Sequence, residues 1–345
     1  MNTYKILHIS DDEKFIEPFI NFIENNHQID NHYFIVFNNN SHTYVKERKN
    51  LNKINFNHKI IILLLFKCFF SEKIILHGLH NKKLVFLLWF MPWVLKRSYW
   101  CIWGADLYSF KIKKHTLKSK LDYILRCQII SRIGHLVSYL PGDILLARQY
   151  FNAKGIYHEC FLYPSNLYKH TELQKKITTD IGILVGNSAT PSNNHLDIFR
   201  KLLIHKAKDI NIYCPLSYGK SEYGKYIEAE GKIYFGNKFH ALLDFMPLKN
   251  YLELLSNIDI AIFAHDRQQA MGNIISLLGL GKTIFLRKNT TSWEFLHNLG
   301  FFIKTFEEFD LKKITQEEAS HNIMKAKSVF SEEVLSTQLN NLFDK

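Results

Sequence analysis

Ile262-Phe-Ala-His-Asp-Arg-Gln-Gln-Ala-Met-Gly-Asn-Ile-Ile-Ser-Leu-Leu-Gly-Leu-Gly281 is the stretch that decides the fold class of this chain. An apolar strand pattern, Ile258–Phe263, runs into five polar side chains, His265–Gln269, and an apolar helix pattern follows over Met271–Leu280. Open α/β sheets bind ligands where strands end in this way. The unpaired N–H groups and the dipole of the following helix favour an anion such as a diphosphate. The alternative is a solvated loop, since loops are usually polar.

Strand and helix patterns alternate along the rest of the chain as well. Predicted strands are Tyr4–Ile9, His32–Phe37, Lys73–His77, Ser98–Trp103, His135–Tyr139, Asp180–Val185, Asp209–Cys214, Ile233–Phe235, Ile258–Phe263, Lys282–Arg287 and Gly300–Ile303. Predicted helices are Glu13–Asn25, Leu117–Arg132, His195–His205, Gly219–Glu230, Pro247–Ser256, Met271–Leu280 and Thr291–Asn298. Such alternation favours parallel sheets with helices on both faces. The sequence therefore predicts an α/β fold of two Rossmann-like domains facing a cleft, residues 1–168 and 178–345, with a hinge within 164–178.

The length and composition fit two globular domains. The chain has 345 residues, of which 47% are hydrophobic and 14% aromatic, so a sizeable core is expected in each domain. The net charge of +12 is concentrated in one half, because residues 1–170 hold 23 Lys and Arg against 12 Asp and Glu. This asymmetry suggests an anionic partner, lipid or nucleic acid. No nucleic-acid-binding motif accompanies it, and a basic surface kept for solubility is the alternative.

The five cysteines have no spacing that indicates a metal or redox site. None forms a C-x-x-C pair, which fits the reduced thiols of a cytosolic protein. The segment Met1–Asp12 carries acids where a signal peptide has its apolar run, so export is not expected.

Residues Leu84–Leu95 form an uninterrupted apolar run that contains two tryptophans. The run is too short to span a bilayer, which takes about 20 residues. Two cationic residues precede it and two follow it, a pattern that suits a membrane interface. A buried core helix is the alternative.

Three residues of the first half are candidates for catalysis because they lie in or directly after predicted strands. Asp11 follows the first strand and Asp106 follows the strand that ends near Gly104. At such positions a carboxylate can point into a cleft, or it can simply cap a helix or turn. His8 lies inside the first strand and is either a core imidazole or a base at the cleft.

In the second half, Gly186-Asn187-Ser188 follows a predicted strand directly. A glycine there lets backbone N–H groups approach a phosphate closely. The segment is not a G-x-G-x-x-G fingerprint, and no P-loop and no Asp-x-Asp occur in the chain. Without a carboxylate pair for a metal, a diphosphate would be neutralised by helix dipoles and by a cation, for which Arg267 is the candidate.

Three segments in order carry a resemblance to a known family. Trp103-Gly-Ala-Asp-Leu-Tyr108, Leu184-Val-Gly-Asn-Ser188 with Asn194-His195, and Arg267-Gln-Gln-x-x-Gly272 resemble the Fuc4NAc transferase family. Those bacterial enzymes transfer 4-acetamido-4,6-dideoxy-D-galactose (Fuc4NAc) from its dTDP donor during enterobacterial common antigen assembly. The resemblance is collinear from the first strand to about residue 300.

The resemblance implies a GT-B glycosyltransferase that needs no metal and no cofactor. It places the acceptor, an undecaprenyl-diphosphate-linked saccharide, on domain 1–168 at the cytoplasmic face of the inner membrane, with the enzyme peripheral. The dTDP-sugar lies mainly on domain 178–345. An O-antigen or capsule enzyme of the same family is the alternative. The implied donor-binding residues are Gly186, Asn187, Ser188, Arg267, Gln268, Gln269, Gly272 and Asn273, and the candidates for the base are Asp106, His8 and Asp11.

Departures from the family pattern leave the donor and acceptor sugars open. His265 and Asp266 are inserted or rearranged ahead of Arg267, so they are candidates for choosing the donor sugar. Two other classes of function are weighed against the transferase. One is a non-catalytic basic protein that binds membrane or nucleic acid. The other is a different nucleotide-dependent enzyme such as a dehydrogenase, against which the missing glycine fingerprint counts.

Overall fold

The computed structural model describes residues 4–38, 43–55, 58–112, 115–169 and 179–344. They form two units. The first runs to Ser165 and takes in the C-terminal segment from Glu332, and the second runs from Asn166 to Ser331. Most of the predicted hinge, residues 170–178, lies outside the described residues.

The sheet of the first unit is parallel throughout, with the order β3-β2-β1-β4-β5-β6-β7. Its strands are β1 (Ile6–Asp11), β2 (His32–Phe37), β3 (Leu51–Ile54), β4 (Lys73–His77), β5 (Ser98–Cys101), β6 (His135–Ser138) and β7 (Ile156–Glu159). The central strands are buried along their length, as expected when helices cover both faces. Trp100 of β5 is fully buried within this core.

The sheet of the second unit is also parallel, with the order β10-β9-β8-β11-β12-β13. Its strands are β8 (Ile181–Val185), β9 (Ile210–Pro215), β10 (Phe239–Leu242), β11 (Ile260–Phe263), β12 (Thr283–Leu286) and β13 (Lys304–Thr305). Both strand orders run outward from a first central strand, as in doubly wound folds. The prediction of two Rossmann-like α/β domains is therefore confirmed.

The α-helices alternate with these strands along the chain. They are α1 (Ile16–Asn26), α2 (His58–Phe70), α3 (Lys82–Trp89), α4 (Pro92–Leu95), α5 (Leu117–Ile130), α6 (Pro141–Phe151), α7 (His195–Leu203), α8 (Ser221–Phe235), α9 (Leu248–Ser256), α10 (Met271–Gly279), α11 (Thr291–Asn298), α12 (Gln316–Val329) and α13 (Glu332–Asp344). In the described part of the chain, no helix has the length and apolar character needed to cross a bilayer.

The last helix, α13, belongs to the first unit although the chain reaches it from the second. Its apolar face, which includes Leu335 and Leu339, is buried. The Lys73 ammonium donates to the carbonyl oxygens of Leu342 and Phe343, where a cation satisfies the last carbonyls of a helix. The sequence-based division differs here, because it placed residues 332–345 with the second domain.

One predicted strand, Ile233–Phe235, is wrong. These residues are the last turn of α8, and the neighbouring strand is β10 instead. Gly231 explains the close packing, since a Cβ on it would lie 2.4 Å from the ring of Phe239. The β-branched and aromatic residues of the segment favour a strand, but packing of the helix against β10 overrides that preference.

Candidate active site

Two polar loops of the second unit meet at the carboxyl edge of its sheet. They follow β8 and β11, which are adjacent and parallel, with Ile183 paired to Ile260. Each loop leads into a helix through a residue in the left-handed conformation, Asn194 (φ 52°) before α7 and Ala270 (φ 63°) before α10. Neither residue caps its helix with a side chain.

The start of α10 is therefore suited to an anion. The first N–H groups of a helix have no partner within the helix, and the side chain of Ala270 offers none. Alanine in the left-handed region also costs about 1–3 kcal/mol, a kind of strain that concentrates at binding sites. The helix is held in place by its buried face, which includes Ile274 and Leu278.

Gln269 joins the two loops in front of α10. Its amide nitrogen donates to Asn187 Oδ1 at 2.8 Å, and its amide oxygen accepts from Ser192 Oγ at 2.8 Å. Arg267 reaches the same Ser192 hydroxyl at 3.4 Å, and Ser188 Oγ lies 3.4 Å from the Gln269 amide. The structure thus brings together Asn187, Ser188, Arg267 and Gln269, all of which were predicted as donor-binding residues.

Asn193 organises this network, and sequence analysis missed it. Its side chain is fully buried. Its oxygen accepts from the Asn187 backbone N–H and from His265 Nε2, both at 2.9 Å. Its nitrogen donates to the Ser188 carbonyl at 2.9 Å and the Thr190 hydroxyl at 2.8 Å. A short polar residue in a Ser- and Asn-rich loop gave no signal, because its side chain folds back onto its own loop and its remaining partner, His265, lies 72 residues away.

Gly186 has a different role from the one predicted. Its backbone N–H donates to the Ile262 carbonyl, and that of Asn187 donates to Asn193, so neither is open to a phosphate. Gly186 has φ 65°, and a Cβ there would lie 2.7 Å from Asn193 Oδ1 and 3.0 Å from His195 Nε2. The glycine therefore makes room for the buried side chains behind the loop.

His265 and Asp266 are used to build the loop, which argues against a role in donor choice. His265 is buried, and burial followed by the nearby Arg267 lowers its pKa to about 3. The ring is therefore neutral and donates from Nε2 to Asn193. Asp266 accepts from Asn194 Nδ2 at 2.9 Å and pairs with Arg287 at 3.3 Å.

The remaining predicted donor-side residues flank this network. Gln268 is half-buried in the loop ahead of α10. Gly272 lies in the first turn of α10, and its carbonyl accepts from Ser276 Oγ at 2.8 Å. Asn273, also in that turn, donates to the Tyr251 hydroxyl at 2.9 Å.

Asp106 in the first unit is saturated with hydrogen bonds, which argues against a role as base. The carboxylate is buried. One oxygen accepts from Leu79 N and Trp100 Nε1 at 2.9 and 2.7 Å, and the other accepts from Trp103 N and Leu107 N at 3.0 and 2.9 Å. Four donors fill the lone-pair positions of a carboxylate. Asp106 therefore holds the loop after β5 in place and has no free position to accept a proton from a substrate.

His8 is likewise out of reach of a substrate. The ring is buried, and both of its nitrogens are bonded to other imidazoles, Nδ1 to His77 at 3.0 Å and Nε2 to His32 at 2.9 Å. Burial, together with these two rings, lowers the pKa of His8 well below its usual value.

Asp11 is the predicted carboxylate that stays accessible. It ends β1 at the carboxyl edge of the first sheet and is half-buried. Burial raises its pKa, whereas a hydrogen bond from Asn81 Nδ2 (2.9 Å) and the nearby His80 lower it. A carboxylate with a raised pKa at a sheet edge is suited to accept a proton.

Comparison with known proteins identifies the family. A family model described as "4-alpha-L-fucosyltransferase glycosyl transferase group 56" matches residues 15–330. The chain belongs to this glycosyltransferase family. It is an enzyme that transfers a glycosyl group, and membership favours this function over the non-catalytic and dehydrogenase alternatives.

Solved structures of low sequence identity share the fold of this group 56 chain. A glycosyltransferase from Rickettsia africae ESF-5 is 12% identical, with a TM-score of 0.66 over 100% of this chain and 98% of that one. Anabaena Alr3699/HepE in complex with UDP is 11% identical, with a TM-score of 0.69 over 99% of both chains. Sucrose-phosphate synthase from Thermosynechococcus elongatus is 9% identical, with a TM-score of 0.67 over 98% of both.

The apolar run Leu84–Leu95 has one buried face and one exposed face, so it is in part a core helix, and its contact with a membrane stays a prediction. It forms α3 and α4, whose inner faces are buried through residues such as Leu88 and Val94. The outer faces expose aromatic side chains: Phe86, Trp89, Phe90 and Trp93. More exposed apolar residues lie on α2 and α5: Ile62, Phe66, Phe69, Phe70, Leu117, Leu121 and Ile124.

No metal centre is evident in the part of the chain that the structure describes. Its His, Cys, Asp and Glu side chains form no group of three or more that could hold an ion there.

Proposed function

We propose that this group 56 enzyme transfers a 6-deoxy sugar, Fuc4NAc or a close relative, from a dTDP-sugar to an undecaprenyl-diphosphate-linked saccharide. The reaction would serve enterobacterial common antigen or O-antigen assembly at the cytoplasmic face of the inner membrane. The observation that carries the proposal is the uncapped start of α10, entered through Ala270 and flanked by Arg267 and Gln269.

The donor diphosphate would bind at that helix start. Negative charge develops on the leaving diphosphate during glycosyl transfer, and fixed donors that face it lower the barrier. Arg267 would supply the cation, and Gln269 and Asn187 would supply amide groups for phosphate or sugar. A nucleotide is supported by HepE, whose structures contain UDP or UDP-glucose.

Two lines of support agree that the transferred sugar is a 6-deoxy sugar. The family description names a fucosyltransferase, and the three quoted motifs resemble Fuc4NAc transferases. Fucose and Fuc4NAc are both 6-deoxygalactoses, and they differ in the amide at C4 and in their D or L series. GDP-fucose is therefore the competing donor, and an apolar contact for the C6 methyl group is expected with either sugar.

Asp11 would be the base that takes the proton of the acceptor hydroxyl. Asp106 has no lone pair to spare and His8 is buried, which leaves Asp11 of the three candidates. A general base of this kind contributes roughly 10²–10⁴-fold to the rate.

The lipid part of the acceptor would contact the exposed aromatic face of α3 and α4. Lys82 and Lys83 are exposed at the start of α3, and Phe86, Phe90 and Trp93 follow on the outer side. Cations ahead of an aromatic face suit an anionic membrane interface. The basic balance of residues 1–170 agrees with this placement.

The function is tested by incubating the protein with dTDP-Fuc4NAc, GDP-fucose and UDP-glucose in turn, each with farnesyl-diphosphate-linked N-acetylhexosamine saccharides. Nucleotide release and the mass of the lipid product are followed. We expect acceptor-dependent release with a 6-deoxy donor and little with UDP-glucose. No turnover with any pair, and no nucleotide binding by calorimetry, would contradict the proposal.

A further inference from the structure

Three buried histidines of the first unit form a continuous hydrogen-bonded chain that ends at a tryptophan. His32 Nδ1 lies 2.9 Å from His8 Nε2, and His8 Nδ1 lies 3.0 Å from His77 Nε2. His77 Nδ1 lies 2.7 Å from the Tyr163 hydroxyl, which also accepts from Trp103 Nε1 at 2.7 Å. The chain runs from the first residue of β2, through the middle of β1, to the carboxyl edge at β4.

The indole and the Tyr163 hydroxyl together assign a direction to every bond in the histidine chain. An indole N–H can only donate, so the Tyr163 oxygen accepts from Trp103. Among the contacts of the described residues, His77 Nδ1 is the acceptor that the Tyr163 proton reaches, so we assign the bond from Tyr163 to His77 Nδ1. His77 then donates from Nε2 to His8 Nδ1, and His8 donates from Nε2 to His32 Nδ1. All three rings are consequently neutral and carry their proton on Nε2.

An additional proton on His8 or His32 would place two N–H groups head to head, and one on His77 Nδ1 would meet the Tyr163 O–H, so each would break a bond of the histidine chain. Burial keeps the rings neutral, because it lowers the pKa of His77 to about 3 and, with the nearby His27, that of His32 to about 4. Fully satisfied buried networks fix a single geometry, and they cost stability when one member is lost. Apolar side chains could fill the same space, so the histidines point to a need for fixed geometry.

What the chain holds in place is the indole of Trp103. The ring contacts Phe15 edge-on at 4.5 Å and His80 at 5.3 Å between centroids, and the residue is half-buried. Gly78 (φ 79°) lets the ring approach, since a Cβ there would lie 3.0 Å from it. His80 is also the imidazole whose charge lowers the pKa of Asp11, so the indole and the proposed base share a neighbour.

We propose that Trp103 is the platform on which a sugar ring of the acceptor stacks beside Asp11, and that Tyr163, His77, His8 and His32 are positioning residues that hold its indole. The proposal rests on the proposed function, because it needs a saccharide acceptor on the first unit. Aromatic rings bind the apolar C–H face of a sugar, and they bind best when their orientation is fixed beforehand.

The histidine chain is tested with Tyr163→Phe, which removes one oxygen and leaves the Trp103 N–H and His77 Nδ1 without a partner. We expect the KM for farnesyl-diphosphate-linked N-acetylhexosamine saccharide to rise about 10-fold or more, in line with the loss of a buried hydrogen bond. The KM for the donor and its slow hydrolysis without acceptor should not change. Tyr157→Phe is the matched control, because its buried hydroxyl has no hydrogen-bond partner among the described residues.

Two measurements on the wild-type protein apply even if Tyr163→Phe does not fold. ¹⁵N NMR of labelled histidine should show three imidazoles in the Nε2–H form across neutral pH, and the Nδ1–H form for these rings would overturn the chain. The same acceptor should protect Trp103 from N-bromosuccinimide, located by mass spectrometry, whereas the donor nucleotide should not. Equal oxidation with and without acceptor would overturn the platform, while turnover in that sample would leave the proposed function standing.

Discussion

Arg267→Gln is the substitution that separates donor binding from the fold most cleanly. Arg267 is half-buried in the loop ahead of α10, and its hydrogen bond to Ser192 Oγ is long, at 3.4 Å. Ser192 keeps a partner when the guanidinium is removed, since its hydroxyl donates to Gln269 at 2.8 Å. A diphosphate at the helix start would lose its cation.

The expected loss of donor affinity follows from the type of contact that is removed. A hydrogen bond to a charged group contributes about 1.5–3 kcal/mol, which corresponds to roughly 10- to 150-fold in the dissociation constant. We expect donor nucleotide affinity to fall within this range. Arg267→Lys should recover part of the loss, because lysine keeps the charge and lacks the planar fork.

Calorimetry with dTDP, GDP and UDP measures the effect directly. Arg200→Gln is the matched control, since Arg200 lies on α7 of the same unit with 70% of its side chain exposed and is paired with Asp197. Exposed pairs of this kind contribute under about 1 kcal/mol. Wild-type affinity in Arg267→Gln, or an equal loss in Arg200→Gln, would refute the assignment of the diphosphate to α10.

Three further substitutions test the rest of the account. Asn193→Ala should destabilise the second unit by about 2–4 kcal/mol, because the Asn187 N–H and His265 Nε2–H lose their acceptor; an unchanged urea midpoint would contradict this. Asp11→Asn should lower kcat about 10²-fold or more. In the wild type, kcat should fall with decreasing pH at a value above the ordinary 3.8, since burial raises the pKa of Asp11. A raised pKa means that the folded state holds the ionised carboxyl less favourably than the unfolded state does. The ionised Asp11 therefore lowers the stability of the fold at pH 7, and Asp11→Asn should not lower the melting temperature at that pH. Phe90→Ser with Trp93→Ser should weaken co-sedimentation with anionic vesicles while leaving donor affinity unchanged, and undiminished sedimentation would remove the aromatic face from the proposal.

The central strands of both sheets could be predicted from the sequence, whereas the edge strands could not. Central strands such as β2 and β11 are buried on both faces and give continuous apolar runs. The edge strand β7 is half-exposed and mixed in composition, and β3 and β10 were missed for the same reason. At the fourth edge, a strand was predicted at Gly300–Ile303, which ends directly before β13 begins at Lys304.

The candidate site could be predicted in its location and only partly in its roles. Arg267, Gln269 and Asn187 were found because a polar loop between a strand and a helix is visible locally. Asn193 and the histidine chain depend on partners 60 or more residues away in several cases, which spacing along the chain does not reveal. Asp106 is a residue type that can act as a base, but the donors that saturate it include Leu79 N, which lies 27 residues away along the chain.

The central claim is that a 6-deoxy sugar moves from its nucleotide to a lipid-linked saccharide. The most direct measurement is mass spectrometry of the lipid product after incubation with dTDP-Fuc4NAc or GDP-fucose and farnesyl-diphosphate-linked N-acetylhexosamine saccharides. The account predicts a product heavier by one Fuc4NAc or fucosyl unit, formed only when both substrates are present and formed about 10²-fold more slowly, or slower still, by Asp11→Asn. An unmodified acceptor with every donor, or a wild-type rate of product formation in Asp11→Asn, would contradict it.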